Sequence, residues 1–488
     1  MARSWFFLAV LPLTTAVSCS QSSNGSGDGT LNPTDGGMSD ATTSGESTAS
    51  GGSSGTATGG RTNMGGAGGA ATNGGTAGSS TGGTQTAAGG ASGSSSGGAN
   101  ADGGPPDASS FDGAGSNAAP SSTGTTVLAA GSTFVCAVTS NGGVECWGFG
   151  SEGELGNGST GSALRPTPVK GLSGSITSVS ASGGSFACAL NTNGGVQCWG
   201  QDATGELGNG IREDGGDQVH TTPVQVSGLT SGVKQISAGV KSACAVTTGG
   251  AVRCWGDNTS FQLGNSALNG LRSTDYVHSL YSSTPVEVSG LDGPATQVAV
   301  GSDFACALLD SGEVECWGDD SSGQLGDGPH VRVGPSNGAL PVVGLTSGVT
   351  AIAAGGHVAC AIKATDLLCW GDNSTGQLGS GAVDSGGDAV ASSVVPVPFA
   401  DILAPVSAVS VSGGFNCALT TSGAVQCWGQ ATNYQVDGTT SVPSGVAAVS
   451  VSDGAACVVL TNGKVECWGG YIGNGSSQGS FTPLAVDL

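Results

Sequence analysis

Cysteine is the residue through which this 488-residue chain can do most chemistry, and there are 15 of them. Fourteen fall into seven pairs: Cys136 and Cys146, Cys188 and Cys198, Cys244 and Cys254, Cys306 and Cys316, Cys360 and Cys369, Cys417 and Cys427, Cys457 and Cys467. Paired cysteines can form a disulfide, hold a metal as thiolates, or pack as free thiols. The spacing is never Cys-x2-Cys, which disfavours metal. The fifth pair is one residue closer than the others, because the turn at Ala364-Thr365 is one residue shorter. A pairing that survives a change of turn argues for seven disulfides. Cys19 is left over. The histidines, His220, His278, His330 and His357, are scattered over different repeats and read as solvated residues, three of them in variable loops, rather than metal ligands. Asp257-Asn258 and Asp372-Asn373 read as turn caps, not calcium ligands. Gly-x-Ser-x-Gly strings such as Gly475–Gly479 open no helical pattern and so make no nucleophile elbow, and there is no His-Glu-x-x-His helix. The chain is expected not to be an enzyme and to use no cofactor.

The cysteines demand hairpins. In Cys244–Cys254, a turn centred on Gly249 sets Cys244 opposite Cys254, Val246 opposite Val252 and Thr247 opposite Ala251. Directly opposed residues of an antiparallel pair have Cα atoms roughly 4.5–5.5 Å apart, within disulfide reach. A Trp follows every second cysteine, at Trp147, Trp199, Trp255, Trp317, Trp370, Trp428 and Trp468. A Trp at the same place in each unit reads as packing between neighbouring sheets.

The chain before the hairpins is of another kind. Residues 1–18 carry Arg3, an apolar run from Trp5 to Leu13 and then small residues, and read as a signal peptide too short to span a bilayer. Ala16-Val17-Ser18-Cys19 resembles the lipobox of bacterial lipoproteins, which implies an acylated Cys19 beginning the mature chain. Plain secretion is the alternative. Residues 19–124 are Gly, Ser, Thr and Ala with almost no large apolar residue, and read as a disordered linker with a root-mean-square span of roughly 55 Å. The formal charge is −23, of which −18 falls after residue 124. So acidic a surface repels nucleic acid and anionic headgroups.

From Thr125 to Leu488 seven units average about 52 residues. Their approximate bounds are 125–175, 176–232, 233–294, 295–348, 349–405, 406–445 and 446–488. Each has a short apolar strand ending in Gly, the cysteine hairpin, a Gly-Gln/Glu-Leu-Gly turn, and a variable loop running into Thr-Pro-Val. Four strands per unit and no useful helical period give an all-β fold whose repeated units suit the blades of a β-propeller. The pattern Cys-Ala-Leu…Gly-x-Val-x-Cys-Trp-Gly resembles the regulator of chromosome condensation repeat family. That resemblance implies seven blades with first and last segments sharing a blade, so that Thr482-Pro483-Leu484 would complement the segment near Val127. Two departures stand out. Where the family often has His, this chain has Phe134, Phe186, Ser242, Phe304, Val358, Phe415 and Ala455. The Gly-x-Leu-Gly turn is intact at Leu155, Leu207, Leu263, Leu325 and Leu378 but degrades at Tyr434-Gln435-Val436-Asp437 and after Tyr471.

The variable loops carry what is individual to this chain. Ile211, Arg212, His220, Leu271, Arg272, Tyr276, His278, Tyr281, His330 and Arg332 are the candidate binding face, because Tyr, Arg and exposed apolar residues anchor interfaces. The expected function is an exported, lipid-anchored binding module at the bacterial cell envelope, as an outer-membrane lipoprotein. Its partner would be an envelope or extracellular protein or polymer, with no nucleic acid and with membrane contact through the anchor alone. A hydrolase or lyase on cell-surface polymers and a purely structural envelope component are the alternatives.

Overall fold

The computed structural model describes residues 128–211, 218–269, 280–329, 334–379, 390–399, 402, 405–430 and 444–488. The signal peptide, Cys19, the linker and Tyr434-Gln435-Val436-Asp437 lie outside them. The described residues form seven antiparallel sheets, six of four strands and one of three. Blade 1 runs Leu128–Ala130, Phe134–Val138, Val144–Gly148 and Ala163–Pro168, in that order across the sheet. The other blades open at Ile176, Val233, Ala295, Val349, Val406 and Val446. Each first strand lies between the first strands of its two neighbours, which closes the ring. The fold is the expected all-β seven-bladed propeller.

The second and third strands are the cysteine hairpins. Cys244 pairs with Cys254 and Val246 with Val252. All seven pairs are bonded, with Cα atoms 4.0–4.1 Å apart. In the fifth hairpin Lys363 pairs with Asp366 across Ala364-Thr365, and the tight turn drives Ala364 to φ 57°.

Blades do not share a continuous sheet, so side chains join them. Phe134, Cys136, Cys146 and Leu155 of blade 1 pack with Ile176, Ala189 and Trp199 of blade 2, and the same cluster recurs around the ring. On the axial side, serine hydroxyls accept from the next blade's backbone: Ser180 from Ala238 N at 2.9 Å, and Ser237 from Val300 N at 3.0 Å. Where the family's His is replaced, Phe134, Phe186, Phe304 and Phe415 are buried. Phe134 lays its ring over Gly131, where a Cβ would come within 2.6 Å.

One expectation about closure is corrected. Ser480–Val486 pairs with Val465–Gly469 of its own unit, and blade 1 has four strands of its own. The first and last segments share no blade, because each four-stranded blade takes its fourth strand from the segment that follows its own hairpin in sequence. Contacts close the ring instead. Ala130 N donates to Ser450 Oγ at 3.0 Å, Gly475 N donates to Leu164 O at 2.7 Å, and Trp147 packs with Cys457, Cys467 and Ile472.

Blade 6 is the three-stranded one. Its third strand, Val425–Gly429, is half-buried throughout, whereas the equivalent tryptophans of the other blades are 0% exposed. Trp428 has instead the Phe399 ring at 4.6 Å.

In blades 1 to 5 the turn after the hairpin clamps the next blade. Trp199, Trp255, Trp317, Trp370 and Trp428 each donate Nε1–H to the backbone carbonyl of Glu154, Glu206, Gln262, Gln324 and Gln377 of the preceding blade, at 2.7–2.9 Å. The glycine closing the turn lies flat on that ring. At Gly208, φ is +62° and a Cβ would sit 2.7 Å from Cδ1 of Trp255. Gly208→Ala therefore meets both backbone strain and overpacking and should cost about 2–3 kcal/mol in urea unfolding. A cost below 0.5 kcal/mol, the level of an ordinary surface change, would show that the clamp carries no load.

Candidate interaction face

Antiparallel order decides which residues share a face. The first-to-second and third-to-fourth connections leave the same end of each sheet, and the cysteine hairpin turns leave the other. In the six four-stranded blades the third-to-fourth connections, which hold the variable loops, therefore start and end on the face that also bears the turns clamping the tryptophans.

Those turns are built identically. The Glu or Gln side chain accepts from the backbone N–H two residues earlier: Glu152 N to Glu154, Thr204 N to Glu206, Ser260 N to Gln262, Ser322 N to Gln324 and Thr375 N to Gln377, at 2.6–2.8 Å. In blades 3 to 5 the amide also donates to an aspartate five residues before it. Gln262 Nε2 reaches Asp257 Oδ2 at 3.0 Å, and Gln324 and Gln377 reach Asp319 and Asp372 Oδ2 at 2.7 Å.

Nearer the axis, the first-to-second connections supply Lys241, Asp303 and His357. The turn of one blade meets the rim residue of the next. Gln262 Nε2 lies 3.5 Å from Asp303 Oδ1, and Gln324 Nε2 lies 3.1 Å from His357 Nδ1. His357 Nδ1 is also 3.9 Å from Asp319 Oδ2. Burial pushes the Asp303 carboxyl above its ordinary value. His357 and Lys241 oppose that rise, while Asp257 and Asp319 add to it. The arrangement can accept hydrogen bonds from, and attract, a cationic or hydroxyl-rich group. Among the described residues, no three His, Cys, Asp or Glu side chains converge as a metal site.

The residues expected on this face fare differently. Ile211 is on it and 50% exposed. His220 and Tyr281, read from sequence as variable-loop residues, belong instead to the fourth strands Val219–Gln225 and Tyr281–Glu287. Gly200 pairs with His220 and Asp257 with Tyr281, because the fourth strand starts before the Thr-Pro that marks it in sequence. Leu268, in the longest variable loop, turns inward onto the blade 3–4 cluster. Arg212, Leu271, Arg272, Tyr276, His278, His330 and Arg332 lie outside the described residues. Sequence reasoning missed the Asp257–Gln262–Asp303 and Asp319–Gln324–His357 groups. The five-residue Asp-to-Gln spacing in three consecutive blades was the available signal.

Among known proteins, E3 ubiquitin-protein ligase HERC2 of Homo sapiens is 35% identical over 205 residues, 41% of this chain and 4% of that protein. Ultraviolet-B receptor UVR8 of Arabidopsis thaliana is 30% identical over 304 residues, 60% of this chain and 62% of the receptor. This chain thus spans less than two-thirds of either relative. The crystal structure of Prp20p from Saccharomyces cerevisiae superposes with a TM-score of 0.58 at 23% identity, covering 70% of this chain and 85% of that one, a likeness of fold. Residues 117–444 match the profile of the RCC1-like domain, more than half of the chain. With seven blades, five of them clamped through the indole N–H of the repeat tryptophan, the chain belongs to the RCC1-like domain family.

Proposed function

We propose that this chain is an exported, lipid-anchored propeller that binds a protein or polymer at the bacterial cell envelope through the face bearing its variable loops. One observation carries the reading: that face joins a recurring clamp to connections of unequal length. Between third and fourth strands the chain runs from Gly148 to Ala163 in blade 1 but from Asp257 to Tyr281 in blade 3. A rigid ring holding divergent loops suits recognition, because little backbone ordering is lost on binding. The acidic rim around Asp303, Asp319 and Asp372 favours a basic or hydroxyl-rich partner over nucleic acid. Yeast Prp20p, alike in fold, has binding properties toward Gsp1p and histones. Residue types at the start of the chain support the anchor, through the lipobox-like Ala16-Val17-Ser18-Cys19.

Two measurements test it in the producing cell. A fatty-acid analogue should label the wild type and not Cys19→Ala; label retained on the variant removes the anchor. A photo-crosslinking side chain at the exposed Ile211 should trap a partner, whereas one at Asn141, in the opposite-face hairpin turn, should not. Trapping from Asn141 alone would put binding on the other face.

A further inference from the structure

We propose that the junctions between blades 1 and 2 and between blades 2 and 3 are proton-held: Glu154 and Glu206 fasten them as neutral acids, and ionisation of the two loosens the ring there. The argument begins from an internal comparison. Blades 3 to 5 place Gln262, Gln324 and Gln377 at the clamp, each donating its amide to Asp257, Asp319 or Asp372. Blades 1 and 2 place Glu154 and Glu206 there, and the aspartate position holds Phe149 and Gln201. Both carboxyls are buried, at 0% and 2% exposure. Glu154 Oε2 accepts from Glu152 N, but its Oε1 has no partner. Glu206 accepts from Thr204 N and Thr204 Oγ1. The same two residues hold Trp199 and Trp255 through their backbone carbonyls, so the charge would appear inside the clamp itself.

The surroundings offer little to neutralise it. On its own turn Glu154 faces Glu152, while blade 2 presents Trp199 and, along its fourth strand beside Gly153, Val219 and His220. Lys170 packs over Gly158, at the far end of the turn. Glu206 faces Asp202, whose Oδ2 lies 3.9 Å from His220 Nε2. Blade 3 presents Trp255 and Ser283, with Tyr281 and Asp257 in the same pair of strands. Burial lifts both carboxyls to about 7 from an ordinary 4.5. Between those values the folded chain keeps protons that the unfolded chain has released. Stability is therefore greatest below pH 4.5 for this pair of groups, falls as pH rises through 7, and is flat beyond.

The test is thermal unfolding of the full chain from pH 5 to pH 9, wild type against Glu154→Gln/Glu206→Gln. Wild type should lose several degrees more than the variant across this span, with the two curves nearest at pH 5. Hydrogen exchange supplies a local readout: in wild type the indole N–H of Trp199 and Trp255 should lose protection at pH 8 relative to those of Trp317 and Trp370. Gln262→Glu should add a new downward slope with pH, whatever the Gln variants do. Parallel melting curves for wild type and double variant, or no added slope in Gln262→Glu, would overturn the proposal.

Discussion

Replacing Trp317 by alanine is expected to destabilise the protein by about 3–5 kcal/mol, the range for emptying a large aromatic site in a core. Trp317 is 0% exposed and lies between Gly264 of blade 3 and the sheet of blade 4. Its Nε1 reaches the Gln262 carbonyl at 2.9 Å. Removing the ring opens a cavity at a junction between sheets that share no backbone ladder, and one open junction breaks a closed ring. A finer contrast separates packing from hydrogen bonding. Trp317→Phe strands the Gln262 carbonyl, a loss of about 1–3 kcal/mol beyond the change in volume. Trp147 and Trp468 are different, because their buried Nε1 atoms have no partner. Trp147→Phe removes an unsatisfied donor and should be clearly milder. Equal costs at Trp147 and Trp317, by urea unfolding, would show that the clamp hydrogen bond contributes nothing.

Full reduction of the seven disulfides is expected to unfold the ring at temperatures where the oxidised protein is native. Each bond closes a loop of about eleven residues, with a ceiling of ~2.7 kcal/mol in the loop-entropy model. The hairpin already holds the two ends together, so each contribution falls below that ceiling. Even a third of it at each of seven sites amounts to about 6 kcal/mol, comparable to the whole stability of an ordinary domain. The cysteines also line the blade junctions: Cys306 and Cys316 pack with Trp370 of the next blade. Peptide mapping without reductant should return seven local links and none between repeats. A reduced protein melting within a few degrees of the oxidised one would make the bonds incidental to stability.

The hairpins were open to sequence reasoning because the information in them is local. Cys244 and Cys254 are ten residues apart, and period-two alternation about a glycine turn sets their register without reference to anything distant. The repeat tryptophan was equally legible: one large ring after every hairpin reads as packing between neighbouring sheets, and in every blade but the sixth it is fully buried, as Trp199 is against blade 1. Seven units of four strands then specify a propeller, since each sheet alone leaves an apolar face uncovered. Closure was decided by tertiary structure. The last Thr-Pro strand pairs with its own hairpin, and the ring is sealed by groups as remote as Ala130 and Ser450, 320 residues apart. The polar rim also belongs to the tertiary structure. Gln262 meets Asp303 across 41 residues and Gln324 meets His357 across 33, because blades turn their connections toward a common axis. The same holds for Glu154 and Glu206, which in sequence look like two more acids in an acidic chain. Only the clamp reveals that they are buried where glutamine serves elsewhere. Periodicity in sequence records what each unit does alone; the field and packing at a junction depend on which unit arrives beside it.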